Sequence, residues 1–157
     1  GTCGVLDKSI EDCSIIIPNK AVRDEGTSFH YAPASDEITV NPQYIETFTK
    51  MLKELDCKYT IGKTWTSDGI YRETREKVMR RKESGCICVD MECSAMSAMA
   101  LFRKKEIFQF FYAADNLDAE VWDIRSLNNH VNLAQKDKIA GLAMELAVRI
   151  ADTKKSS

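Results

Sequence analysis

The chain has 157 residues, 44% hydrophobic and 29% charged, which suits one domain (1–157) with a core of ordinary size. A formal charge of −2 and a pI near 5.8 give it no basic field, so nucleic acid is not expected as a partner. It lacks an apolar run of about 18 residues and an export signal, so no membrane partner and a cytoplasmic location are expected.

In chain order, Gly1-Thr2-Cys3-Gly4 reads as the end of a strand joined to a glycine-containing ligand loop. The strand that should precede it is absent from the sequence, so either an N-terminal part is missing or an unusual small sheet begins here. The next apolar run, Cys13 to Ile17, stops at Pro18 and resumes at Ala21-Val22-Arg23, the pattern of a buried strand broken by a turn. A polar and aromatic loop fills Asp24 to Pro33. Asn41-Pro42 stands in cap and first-turn order for a helix with Tyr44, Ile45, Phe48, Leu52 and Leu55 on one face, ending near Asp56.

Tyr59 to Trp65 reads as a strand leading to Ser67-Asp68-Gly69, and a charged helix from Arg72 to Ser84 is ended by Gly85. Two more strand–helix units follow: strand 86–90 with helix 92–104, and strand 107–113 with its loop. The closing helix, about 135–151, places Ile139, Leu142, Leu146 and Ile150 on one stripe. Apolar strands alternating with helices imply an α/β fold with a mostly parallel sheet covered on both faces. Ligands in such sheets gather at the carboxyl ends of strands. Thr2 to Gly4, Ser67-Asp68, Asp90 to Glu92 and Asp115-Asn116 are assigned there.

Six cysteines are scattered at Cys3, Cys13, Cys57, Cys86, Cys88 and Cys93 in apolar surroundings, the pattern of reduced core residues rather than a disulfide framework. His30 and His130 are a hundred residues apart, and no Cys-x-x-Cys occurs, so no metal is expected. Asp90 and Glu92 sit at i and i+2 where an apolar strand meets an apolar helix. On an extended backbone both carboxylates share a face, an acceptor pair suited to a vicinal diol. The same residues also fit an acid-rich helix start that complements the dipole.

Taken together, these motifs resemble the nucleoside phosphorylase family that includes hexameric purine nucleoside phosphorylases and uridine phosphorylases. Gly1-Thr2-Cys3-Gly4 is similar to the family's phosphate-loop strand end, and Ala21 through Pro33 to a stretch of the uridine enzymes. Thr66-Ser67-Asp68-Gly69-Ile70-Tyr71 is similar to the base-contacting loop, Val89-Asp90-Met91-Glu92 to the Glu-Met-Glu ribose motif, and Ala114-Asp115-Asn116 to the Ser-Asp position of purine enzymes. The resemblance implies a three-layer αβα fold with a mostly parallel sheet, represented by its carboxyl-terminal two-thirds.

By the same resemblance, Thr2, Cys3 and Gly4 contact phosphate, Ile70 and Tyr71 line the base pocket, and Asp90, Met91 and Glu92 hold the ribose. Asp115 is the proton donor to the leaving base, assisted by Arg125. The implied reaction is phosphate-dependent cleavage of the N-glycosidic bond of ribonucleosides to free base and ribose 1-phosphate, purines slightly favoured. Inorganic phosphate is the co-substrate, no cofactor is expected, and a homo-oligomer is expected. Uridine phosphorylase, a hydrolytic nucleosidase, or a non-catalytic nucleoside-binding protein on the same fold are the alternatives. The piece alone is expected to be nearly inactive, since the family's phosphate-binding arginines lie in the absent third.

Overall fold

A computed structural model describes residues 1–127 and 130–155. Its strands are β1 (Thr2–Val5), β2 (Ile15–Asp24), β3 (Glu37–Thr39), β4 (Tyr59–Ser67), β5 (Cys86–Asp90) and β6 (Phe111–Asn116). The helices are α1 (Ile45–Glu54), α2 (Arg75–Glu83), α3 (Cys93–Arg103) and α4 (Leu133–Lys155), with short 3-10 turns at Thr27–His30, Ile70–Arg72 and Arg125–Leu127. No helix among the described residues is long and apolar enough to cross a membrane.

The sheet order is β3-β2-β4-β5-β1-β6, and β6 also pairs with β2. That last pairing curls β2, β4, β5, β1 and β6 into a closed barrel, with β3 added outside β2. β4 is parallel to β2 and to β5, and β1 is parallel to β6, but the two sets run in opposite directions where β1 meets β5 and β6 meets β2. The α/β class expected from the sequence holds, and most paired residues are parallel. The closure was not expected: alternation of strands and helices reports their order, not the curvature of the sheet.

Burial follows strand alternation. Ile15 and Ile17 face Phe48, Met51 and Leu52 of α1 and Leu142 and Leu146 of α4, while Ile16 joins Cys3, Val5, Cys88 and Phe111 in a second cluster. Trp65 and Val89 pack with Val78 of α2 in a third. The helices are therefore set around different parts of the curled sheet.

Several element boundaries differ from expectation, and β6, expected over 107–113, spans Phe111–Asn116. Pro18 does not break β2; the register against β4 slips between Pro18 and Lys20, a bulge that absorbs the missing donor. Asn41 does not cap α1, because its buried amide donates to the carbonyls of Pro18 (3.0 Å) and Gln109 (2.6 Å) and its oxygen accepts from the Gln109 amide (2.7 Å). α2 starts at Arg75, where the Thr74 hydroxyl accepts from the Lys77 amide at 3.4 Å, and Gly85 stops it at φ +88°.

Candidate active site

β1 connects the expected site residues. Gly4 pairs with Val89 of β5 on one side and Asp115 of β6 on the other, so those two backbones stand about 10 Å apart across it. A Cβ on Gly4 would come within 2.4 Å of Leu117 Cδ1 and 3.0 Å of Asp115 Oδ1. Glycine is what lets the Asp115 carboxylate lie against the strand. At the other end of β1, Thr2 is exposed and Gly1 lies within electrostatic reach of Glu92 and Asp90. Cys3 is buried between them; burial, then the Cys88 thiol, pushes its own thiol well up, and the charges of Asp90 and Asp115 add to this.

Asp90 does not do what the diol reading asks of it. β5 ends at Asp90, and Glu92 at φ −129°, ψ −19° has already left the extended region, so the two carboxylates do not share a face. Asp90 turns inward and is 4% exposed. Its Oδ1 accepts from the hydroxyls of Thr64 (2.8 Å) and Thr66 (2.9 Å), and its Oδ2 from the amides of Glu92 (2.9 Å) and Cys93 (2.6 Å). Those four bonds use the acceptor capacity of the carboxylate. Asp90 caps α3 instead of presenting a free carboxylate at the surface, where Met91 and Glu92 stay.

A second buried acid lies behind this cap. Glu25 Oε1 accepts from Ser94 Oγ at 2.7 Å and Oε2 from the Ser28 amide at 2.8 Å. Arg23, also buried, donates from Nε to Ser28 Oγ (2.9 Å) and from Nη1 to the Pro33 carbonyl (2.6 Å) and Ser35 Oγ (2.9 Å). The Ser94 amide donates to Thr66 Oγ1 at 3.1 Å, which joins the two acids into one network. Burial works to raise the Glu25 carboxyl, but the bonds from Ser28 and Ser94 outweigh it and hold it below its usual range. The Ala21 to Pro33 stretch thus buttresses the bend at Met91-Glu92. The amides of Glu92, Cys93 and Ser94 are already satisfied within the chain.

Asp115 lies within β6, not in a loop, and is 9% exposed. A bridge between Asn116 and Asp123, with N–H to carbonyl distances of 2.8 and 3.2 Å, folds the chain back after β6. Trp122 is thereby set over Asp115, its indole Nε1–H donating to Oδ2 at 2.7 Å. Burial raises the Asp115 carboxyl above its usual range, against the Trp122 hydrogen bond and the Arg125 charge, which pull it down. Arg125 is not the direct helper expected: its Nε is bonded to Asp123 (3.2 Å) and its Nη1 to the Ile10 carbonyl (2.9 Å), so it reaches Asp115 only through space.

Glu73 is a second carboxyl at this place. Burial, then the charge of Asp115, pushes it up to about 7. It follows the 3-10 turn that carries Ile70 and Tyr71, which are 54% and 97% exposed and therefore enclose nothing by themselves. Neither Trp122 nor Glu73 was among the expected residues. Both become partners of Asp115 only through the fold, although an indole seven residues beyond the acid is at least a visible donor.

Cavities of about 460 Å³ between β3 and α3, about 390 Å³ near Lys58 and about 240 Å³ near Leu142 are lined by none of the expected residues. Among the described residues, no three His, Cys, Asp or Glu side chains gather as metal ligands.

The Phosphorylase superfamily profile matches residues 1–148, and the chain belongs to that superfamily. It is similar to a DeoD-type purine nucleoside phosphorylase of Mycoplasma pneumoniae, at 24% identity over 123 residues, 74% of this chain and 50% of the relative. In fold it matches the P. knowlesi homolog of P. falciparum PNP, with a TM-score of 0.78 at 20% identity over 98% of this chain and 61% of that one. It matches the Bacteroides thetaiotaomicron AMP nucleosidase at 0.75 and 18% identity, over 100% and 60%. The chain spans about half the length of the curated relatives it matches.

Proposed function

We propose that this chain supplies the sugar and base side of a nucleoside phosphorylase, which cleaves the N-glycosidic bond of a ribonucleoside with phosphate, purines slightly favoured. The observation that supports it most is Asp115: a buried carboxyl raised by burial, oriented by Trp122 at 2.7 Å, with Glu73 beside it.

In the reaction, the bond from C1′ to the base nitrogen breaks as a phosphate oxygen bonds C1′, and the base leaves with the electron pair. Positive charge builds on the ribose and negative charge on the base, so a proton donor at the base lowers the barrier. Asp115 gives that proton, and a carboxyl raised by burial is suited to hold it until then. Glu73, pushed up to about 7 by burial and then by the charge of Asp115, is a second titratable carboxyl within electrostatic reach of it. Glu92 accepts from the ribose hydroxyls, Met91 packs under the sugar, and Thr2 donates to phosphate beside Cys3 and Gly4.

The test is base release from inosine and from uridine by the whole protein, with and without phosphate, followed by chromatography of base and sugar phosphate. Phosphate-dependent hypoxanthine release is expected. Base release at an equal rate without phosphate would replace this reading with a hydrolytic one, and release of uracil alone with a uridine enzyme.

A further inference from the structure

We infer that Trp122 is the residue of this site that packs against the nucleobase, a base-contacting element that deepens the phosphorylase reading and rests on it. The two tryptophans are placed very differently. Trp65 is fully buried, with its indole N–H on Asp24 at 2.8 Å. Trp122 is 56% exposed although its N–H is anchored on Asp115 at 2.7 Å. An indole fixed by its polar edge to the acid keeps its ring beside that acid, with much of its surface open.

The neighbouring side chains leave this role vacant. Ile70 has no ring to stack, and Tyr71 is 97% exposed with no ring partner among the described aromatic contacts. Val121 and Ile124, 80% and 46% exposed, extend an apolar edge on either side of Trp122. A base that receives a proton from Asp115 must bring its nitrogen to the carboxyl, which places it next to the indole anchored on the same group. Aromatic stacking on such a ring tolerates purine and pyrimidine alike, because every base has a π-face.

The experiment titrates the whole protein with hypoxanthine, and separately with uracil, in phosphate buffer. Binding is measured by equilibrium dialysis and tryptophan emission is recorded with red-edge excitation clear of base absorption. Emission should be quenched along the dialysis isotherm, since Trp65 is a buried and constant background. Trp122→Phe keeps a ring but loses the N–H on Asp115, so it should bind base without the quench and more tightly than Trp122→Leu, which should bind about tenfold more weakly than the parent or worse. Full base binding with unchanged emission, or Trp122→Leu binding like the parent, would overturn the inference while leaving the phosphorylase reading standing. No binding of either base by dialysis would instead overturn the phosphorylase reading, and this inference with it.

Discussion

Burial raises both the Asp115 and the Glu73 carboxyl, and the charge of Asp115 pushes Glu73 up further. The Trp122 N–H on Oδ2 orients the Asp115 carboxyl, which burial raises, for proton donation. Asp115→Asn should therefore cut kcat for inosine at saturating phosphate by the roughly 10²–10⁴-fold expected of lost general-acid catalysis. Turnover equal to the parent's would reject the assignment. Glu73 allows a test that needs no substrate. Its carboxyl is raised from 4.5 to about 7 in the fold, so the folded chain binds more protons than the unfolded chain between those values. Stability from this group is fully present below pH 4.5 and lost as pH rises through about 7. Glu73→Gln should consequently lose less Tm than the parent between about pH 5 and pH 8; parallel losses in calorimetry would show that Glu73 is not held this way. Of these residues, Asp115 was legible as a motif, but Trp122 and Glu73 were not, since a bridge after β6 and a turn after β4 bring them to it.

At the level of elements, the start of α3 shows why a motif can be found and its roles still be misassigned. The pair Asp90 and Glu92 was visible, but same-face geometry requires an extended backbone, and the helix begins one residue too soon for that. Thr64 and Thr66, two apart on β4, were the available signal: they point together at the partner strand, where Asp90 waits. Asp90→Ala removes a cap and leaves the buried Thr66 hydroxyl without its acceptor, so it should destabilise the fold by about 2–4 kcal/mol. Ser94→Ala should cost about 1–3 kcal/mol by taking one donor from buried Glu25. Chemical denaturation measures both. If Asp90→Ala left stability intact and only weakened ribonucleoside binding, the cap would be wrong and the diol reading restored. Helices and strands were largely legible from apolar periodicity. Their ends were less so, because Asn41 and Pro18 are used by tertiary contacts that local pattern does not contain.

For the molecule as a whole, order along the chain was readable but closure was not. The β2–β6 pairing rests on Ile15 opposite Tyr112 and Ile16 opposite Phe111, four residues that look like ordinary strand positions. Closure has a measurable consequence for the cysteines, which composition already placed in a reduced core. All six thiols are free. Cys3, Cys86, Cys88 and Cys93 are buried inside or against the barrel, while Cys13 and Cys57 are partly open. Burial also pushes the thiols of Cys3, Cys86 and Cys93 up, which suppresses the reactive thiolate. An aromatic disulfide reagent should therefore label Cys13 and Cys57 quickly under native conditions and reach the other four only as fast as the protein opens. Full labelling in denaturant, with mass spectrometry of peptides from a timed native reaction, would separate the two classes. If Cys3 and Cys88 were labelled as early as Cys57, β1 would not be held between β5 and β6, and the placement of Asp115 against Gly4 would fail with it.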